Sequence, residues 1–118
     1  MKDKIGYIET KNRKYPICFN LNVMEEIQDS YGSLSKWGDI VANKGEDEPK
    51  VKELKHGLEL MINEAIDMYN ETNEDKQELV NSRQVGRIIT EVGFEKTIEI
   101  LMSLTHESTS TGEETKNE

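Results

Sequence analysis

The pair of residues that comes nearest to metal chemistry is Glu53 and His56, in the run Glu53-Leu54-Lys55-His56. A Glu-x-x-His spacing puts two ligands on one face of a helix. A di-metal bundle needs a second copy of that pair and further glutamates around the same cavity, and this chain has no second copy. Its other histidine, His106, stands at the edge of a polar C-terminal stretch, and Glu53 sits among charged residues. The pair reads as a solvated helix face. Glu46, Asp47 and Glu48 are consecutive, whereas a calcium loop spaces its oxygens alternately and closes on a distant glutamate. Cys18 has no neighbouring cation or helix start to lower its pKa, and a lone cysteine excludes an internal disulfide framework. Within Tyr-Pro-Ile-Cys-Phe it reads as a small buried hydrophobe. No Gly-rich phosphate loop, Gly-x-Ser-x-Gly or Cys-x-x-Cys occurs. The expectation is a protein that is not an enzyme and holds no cofactor or metal.

What remains is recognition. The chain has 118 residues and a net charge of −9, with 34% hydrophobic and 33% charged residues. That length supports one domain and one modest core. So negative a surface argues against non-specific binding to nucleic acid or anionic membranes, both of which want a basic face. No run of about 18 apolar residues is present to span a bilayer, and Met1 to Thr10 lacks the apolar stretch of a signal peptide. A cytoplasmic location is expected. One rival reading concerns Ser82 to Leu104, two short helices broken at Glu91-Val92-Gly93, which have the outline of a helix-turn-helix. The second helix offers Glu95, Lys96, Thr97, Glu99 and Ser103 outward, a net acidic set, and only Arg83 and Arg87 could touch phosphate. A helical hairpin in an ordinary core is the plainer reading. A small DNA-binding regulator is the alternative.

The elements that would position these residues follow from periodicity. Ile5 to Thr10 and Tyr15 to Phe19 alternate around a polar turn, Lys11 to Lys14, and predict a β-hairpin. Ile5 and Tyr7 are expected on the apolar face of the first strand, with Tyr15, Ile17 and Phe19 on that of the second. Asn20 or Asn22 can cap a helix with Leu21, Met24, Ile27 and Tyr31 inward, stopped by Gly32. Ser33 starts a short helix with Leu34, Trp37, Ile40 and Val41 on one side. Residues 45–49 are a loop, with Pro49 suited to the first turn of the next helix. That helix, Lys50 to Tyr69, is the central one. Its residues Val51, Leu54, Leu58, Met61, Ile62, Ala65, Ile66 and Tyr69 fall at steps of three and four. Ser82 is the expected cap of a helix carrying Val85, Ile88 and Ile89, and Phe94 to Leu104 makes the last, with Phe94, Ile98, Leu101 and Met102 inward. The expected fold is mostly α with an N-terminal β-hairpin and four or five helices around one small core. Its domain covers 1–106, and 107–118 form a disordered acidic Ser/Thr tail.

Phe19-Asn20-Leu21-Asn22-Val23-Met24-Glu25-Glu26-Ile27, then Tyr31-Gly32-Ser33-Leu34 and the helix Trp37 to Val41, resemble the opening of the tail assembly chaperones of siphophages, myophages and prophages. A C-terminal pair similar to Ser82-Arg83-Gln84-Val85-Gly86-Arg87-Ile88-Ile89 and Phe94 to Leu104 completes the likeness, which runs over residues 4–105. The motifs are patterns of apolar, Asn and Gly residues with no catalytic signature. The resemblance implies a viral protein acting in the host bacterial cytoplasm. Such chaperones bind the long helical tape-measure protein, keep it soluble and recruit tail-tube subunits around it. It also implies absence from the finished virion and, in many members, a longer frameshifted form. Self-association is left open. Physically, such a client asks for an apolar groove on a charged exterior, and Trp37, Ile40, Met61 and Met68 are the residues expected to line it. Trp37 alternatively anchors the core. If it lines the groove, Trp37→Ala weakens client binding and leaves the helices intact.

Overall fold

A computed structural model describes residues 4–42 and 48–116. The loop expected at 45–49 therefore falls mostly outside the described residues. The fold is mostly helical with an N-terminal antiparallel hairpin, as the sequence pattern predicts. In chain order the described elements are β1 (Ile5–Glu9), β2 (Lys14–Cys18), α1 (Leu21–Tyr31), α2 (Leu34–Ala42), α3 (Val51–Thr72), α4 (Ser82–Val92) and α5 (Phe94–Lys116).

Helix α3 is the hub, because β2, α1, α2 and α4 all pack on it. Its 3.6-residue period brings Leu54, Leu58, Met61, Ile62, Ala65 and Ile66 inward, and all six are buried. Each large side chain among them contributes about 1.5–3 kcal/mol by leaving water. The closest approach is made at Gly57, which α3 turns toward α2. A Cβ built there would lie 2.3 Å from Trp37 Cζ2. The missing methyl leaves room for the indole, whose Nε1 donates to the Glu53 carbonyl at 3.2 Å. Trp37 is 0% exposed. Glycine in a helix interior costs about 1 kcal/mol relative to alanine, a cost offset here by the burial of the largest side chain in the protein.

The hairpin pairs Ile5 with Cys18, Tyr7 with Pro16 and Glu9 with Lys14. Thr10 closes the turn: its amide and hydroxyl both donate to the Arg13 carbonyl, at 2.8 and 3.1 Å. The turn is thus residues 10–13, and Lys14 joins β2. At its tip the Lys11 amide donates to the Glu91 carboxylate at the end of α4. The expected inward face of β1 is corrected. Ile8 is buried, whereas Ile5 and Tyr7 are 41% and 52% exposed. Side chains alternate across a strand, so Gly6 and Ile8 share the face of Ile17 and Tyr15. Ile5 and Tyr7 share that of Pro16 and Cys18. Both faces of the hairpin are apolar; the face expected of β2 does turn inward, with Ile17 and Phe19 buried, and parity misplaced β1 alone.

Asn20, at the end of β2, caps α1 by accepting from the Val23 amide at 3.2 Å. Asn22 is inside the helix, and the buried residues are Val23 and Ile27. Leu21, expected inward, is 67% exposed, because Val23 and Ile27 face the core and a residue two before Val23 lies on nearly the opposite side of the helix. Gly32 ends α1 with φ +96°, a left-handed conformation that side chains disfavour, and the Ser33 hydroxyl accepts from the Lys36 amide at the start of α2.

After α3 the chain turns back along it. Asn63 and Asn70, two turns apart, each make a reciprocal pair of bonds to this return segment. Asn63 donates to the Val80 carbonyl at 3.0 Å and accepts from its amide at 2.8 Å. Asn70 does the same to Gln77, both at 2.9 Å. Two side-chain amides thereby stand in for a neighbouring strand. Asn81, not Ser82, then caps α4 in a full capping box with Gln84. Helix α5 packs on α4, α2 and β1 and continues past the expected domain boundary at 106, through the segment expected to be a disordered tail. Thr105 and Ser108 are buried, and the Thr109 hydroxyl returns to the Thr105 carbonyl at 3.0 Å. The Thr105 and Ser108 hydroxyls are buried without a hydrogen-bond partner among the described residues, and a hydroxyl that bonds back to its own helix does not favour it, so this stretch is helical without a local side-chain reason.

Candidate functional site

Several grooves run along α3 among the described residues. The first lies against α1, has a volume of about 410 Å³, and is lined by Asn22, Glu25 and Glu26 from α1 and by His56, Glu59, Glu64 and Asp67 from α3. Glu64 is held by two donors, Asn20 Nδ2 at 2.8 Å and Asn22 Nδ2 at 3.0 Å. His56 Nδ1 is 2.7 Å from the Tyr31 hydroxyl. Burial first, and then the nearby Glu53 carboxylate, push the Tyr31 hydroxyl above its ordinary pKa. The Glu53/His56 spacing thus serves a Tyr31–His56 contact between α1 and α3. Among the described residues no group of three or more His, Cys, Asp or Glu is placed to hold a metal.

The second groove lies between the outer face of the hairpin and the C-terminal half of α3, with a volume of about 430 Å³. Ile5, Tyr7 and Pro16 form the hairpin wall, and Ala65, Met68, Tyr69 and Thr72 the helical one. Asn73 and Gln77 bound it beyond the helix, and Arg13 and Lys14 bound it on the hairpin side. Cys18, on the same face of the hairpin, is buried with its Sγ 3.7 Å from Met68 Sδ. The buried hydrophobe expected at Cys18 is present. Tyr69 is 36% exposed, so with Ile5 and Tyr7 three large apolar side chains line one cleft and reach water. Lys14 Nζ lies 4.7 Å from the Tyr7 ring centroid, a cation–π contact that holds the ring at the groove rim.

The four residues expected to line a groove are not brought together. Trp37 and Met61 are both 0% exposed and belong to the core. That corrects their reading as partner contacts: Trp37 fits against Gly57, and Met61 faces inward with Leu58 and Ile62. Ile40 is half-buried on α2. Met68 alone lines the apolar groove. The residues sequence reasoning missed are Ile5, Tyr7 and Tyr69. Their signal was present in the hairpin, where Ile5 and Tyr7 stand at one parity and Ile8 at the other, one more apolar face than a single core can cover.

The α4–α5 pair carries Arg83 and Arg87 exposed on α4, while the exposed positions of α5 up to residue 107 include Glu95, Lys96, Glu99 and Glu107. The cations exposed on this part of the pair are thus Arg83 and Arg87 on α4 and Lys96 on α5, the last set among carboxylates. No helix among the described residues is long and apolar enough to cross a membrane. Comparison with protein-family models, with curated proteins and with solved structures finds no match for this chain.

Proposed function

We propose that this protein is a phage or prophage tail assembly chaperone, a non-enzymatic binding protein that works in the host bacterial cytoplasm. Its clients on this reading are the tape-measure protein and the tail-tube subunits recruited to it. The observation that carries the reading is the apolar cleft of Ile5, Tyr7, Met68 and Tyr69 in a chain whose net charge is −9. A client with exposed apolar helical faces needs such a cleft, and the charged exterior keeps the complex dispersed. The resemblance supports the same reading, because its phrase builds the front of the domain. Asn20 caps α1, Gly32 ends it and Ser33 caps α2.

The test is co-expression with the neighbouring tail genes, followed by pull-down and mass spectrometry. A very long helical protein recovered at high stoichiometry, soluble only in the presence of this chain, is the expected result. Tail proteins that stay soluble and unbound without it would overturn the reading. Salt-dependent recovery of DNA in their place would favour the regulator built on α4 and α5.

A further inference from the structure

The apolar groove is not uniform along its length. From the turn to the open end of the hairpin, its wall runs through Lys14, then Tyr7 paired with Pro16, then Ile5 paired with Cys18. Arg13 stands beside Lys14 at the turn end. Neither cation has a carboxylate within ion-pair distance among the described residues; their contacts are with the rings of Tyr15 and Tyr7. Glu9 stands across from Lys14 in the register but makes no ion pair with it and does not line the groove. In a chain of net charge −9, a cleft whose charged lining residues are Arg13 and Lys14 is a local reversal of sign.

We propose that this groove takes one amphipathic helical segment of a partner protein, about three turns long. Its apolar face lies on Tyr7, Pro16, Met68 and Tyr69, and its carboxylates meet Arg13 and Lys14. The proposal names the client chemistry of the site above and rests on that reading for the choice of a partner helix. The length follows from the wall: a five-residue strand spans about 17 Å, which three helical turns match at about 16 Å. A two-fold pairing of two copies through this face would bring the same patch against itself, and that patch has no carboxylate among its lining residues to offer Arg13 and Lys14. The carboxylates come from the partner.

The experiment uses the full chain and two synthetic helical peptides of 14 residues, read by fluorescence anisotropy at 150 mM salt. Both carry the same leucine stripe; one ends in two glutamates and the other in two lysines. The net charge of the protein favours the lysine peptide. The proposal expects the opposite order, with the glutamate peptide bound about tenfold more tightly, and an inverted order in the double variant Arg13→Glu, Lys14→Glu. Tyr7→Asp is expected to abolish binding of both while leaving the circular dichroism unchanged. Equal affinities, preference for lysine, no binding of either peptide, or indifference to Tyr7→Asp would overturn the proposal. So would a concentration-dependent dimer that Tyr7→Asp disperses. The two readings fail separately. A tape-measure client held equally by wild type and by the charge-reversed variant overturns this inference and leaves the chaperone reading standing. The expected peptide order with no affinity for tail proteins does the reverse.

Discussion

Trp37 and Tyr7 are aromatic residues set against the same helix, with opposite fates. Trp37 meets α3 at Gly57 and is wholly buried, its ring nitrogen satisfied by a backbone carbonyl. Tyr7 meets the far end of α3 across a cleft, half in water, steadied by a lysine. The facing helix makes the difference. Where α3 offers a glycine, an indole can enter to van der Waals contact. Where it offers Met68 and Tyr69, the surfaces stand apart and leave space for something else. An aromatic residue is thus assigned to core or to surface by its opposite number rather than by its own type.

The contrast is broken most severely at Trp37. Trp37→Ala should cost about 3–5 kcal/mol of stability, a large share of what a domain this size possesses. Urea unfolding measures it, and the protein that remains folded should still bind its client. Gly57→Ala attacks the same contact from the other side. The new methyl cannot fit without moving the indole, so a net loss of about 1–3 kcal/mol is expected despite the gain in helix propensity. The two asparagine clasps give a polar version of the contrast. Asn63→Ala strips both bonds from Val80, which is buried, and should lower stability by about 1–3 kcal/mol. Asn70→Ala removes the same pair from exposed Gln77 and should cost clearly less. Tyr7→Asp belongs at the other extreme, within about 0.5 kcal/mol of wild type in stability yet deficient in client binding. The smallest effect is expected in alkali. Tyr31 has its pKa raised in the folded state, so the unfolded chain loses this proton first. Its contribution is complete below about pH 10 and is lost as pH rises through the folded value. Tyr31→Phe should therefore show a shallower alkaline loss of stability in pH-dependent melting.

Helix-period stripes were legible where one face is buried against several neighbours, as from Leu54 to Ile66 in α3, whereas the end positions Val51 and Tyr69 keep the period but reach water. Gly32 and Gly93 were legible as stops for a reason of backbone geometry. The phase of short elements was less so. Leu21 lies outside because Val23 and Ile27 set the core face of α1 and Leu21 stands almost opposite Val23 on the helix. Ile5 and Tyr7 defeated the reading because a strand with apolar residues at both parities has no unique inside. Trp37 could not be assigned without its partner, since the room it occupies is made by a glycine twenty residues away that carries no pattern of its own. The Asn63 and Asn70 clasps were invisible for a related reason. Their bonds join a helix to a segment with no periodicity.

The arrangement of β1 bears on how the molecule is made. Residues at its start lie against the far end of the chain: a Cβ on Gly6 would stand 3.6 Å from Leu104, and Lys4 pairs with Glu107 at 3.6 Å. During synthesis β1 leaves the ribosome well before α5, which must emerge before that face is covered. The contact between β2 and α3 is available sooner. The hairpin closes locally, but such a long sequence separation makes the covering of its face by α5 a late event, so a nascent chain presents an apolar strand while its hub helix is already in place.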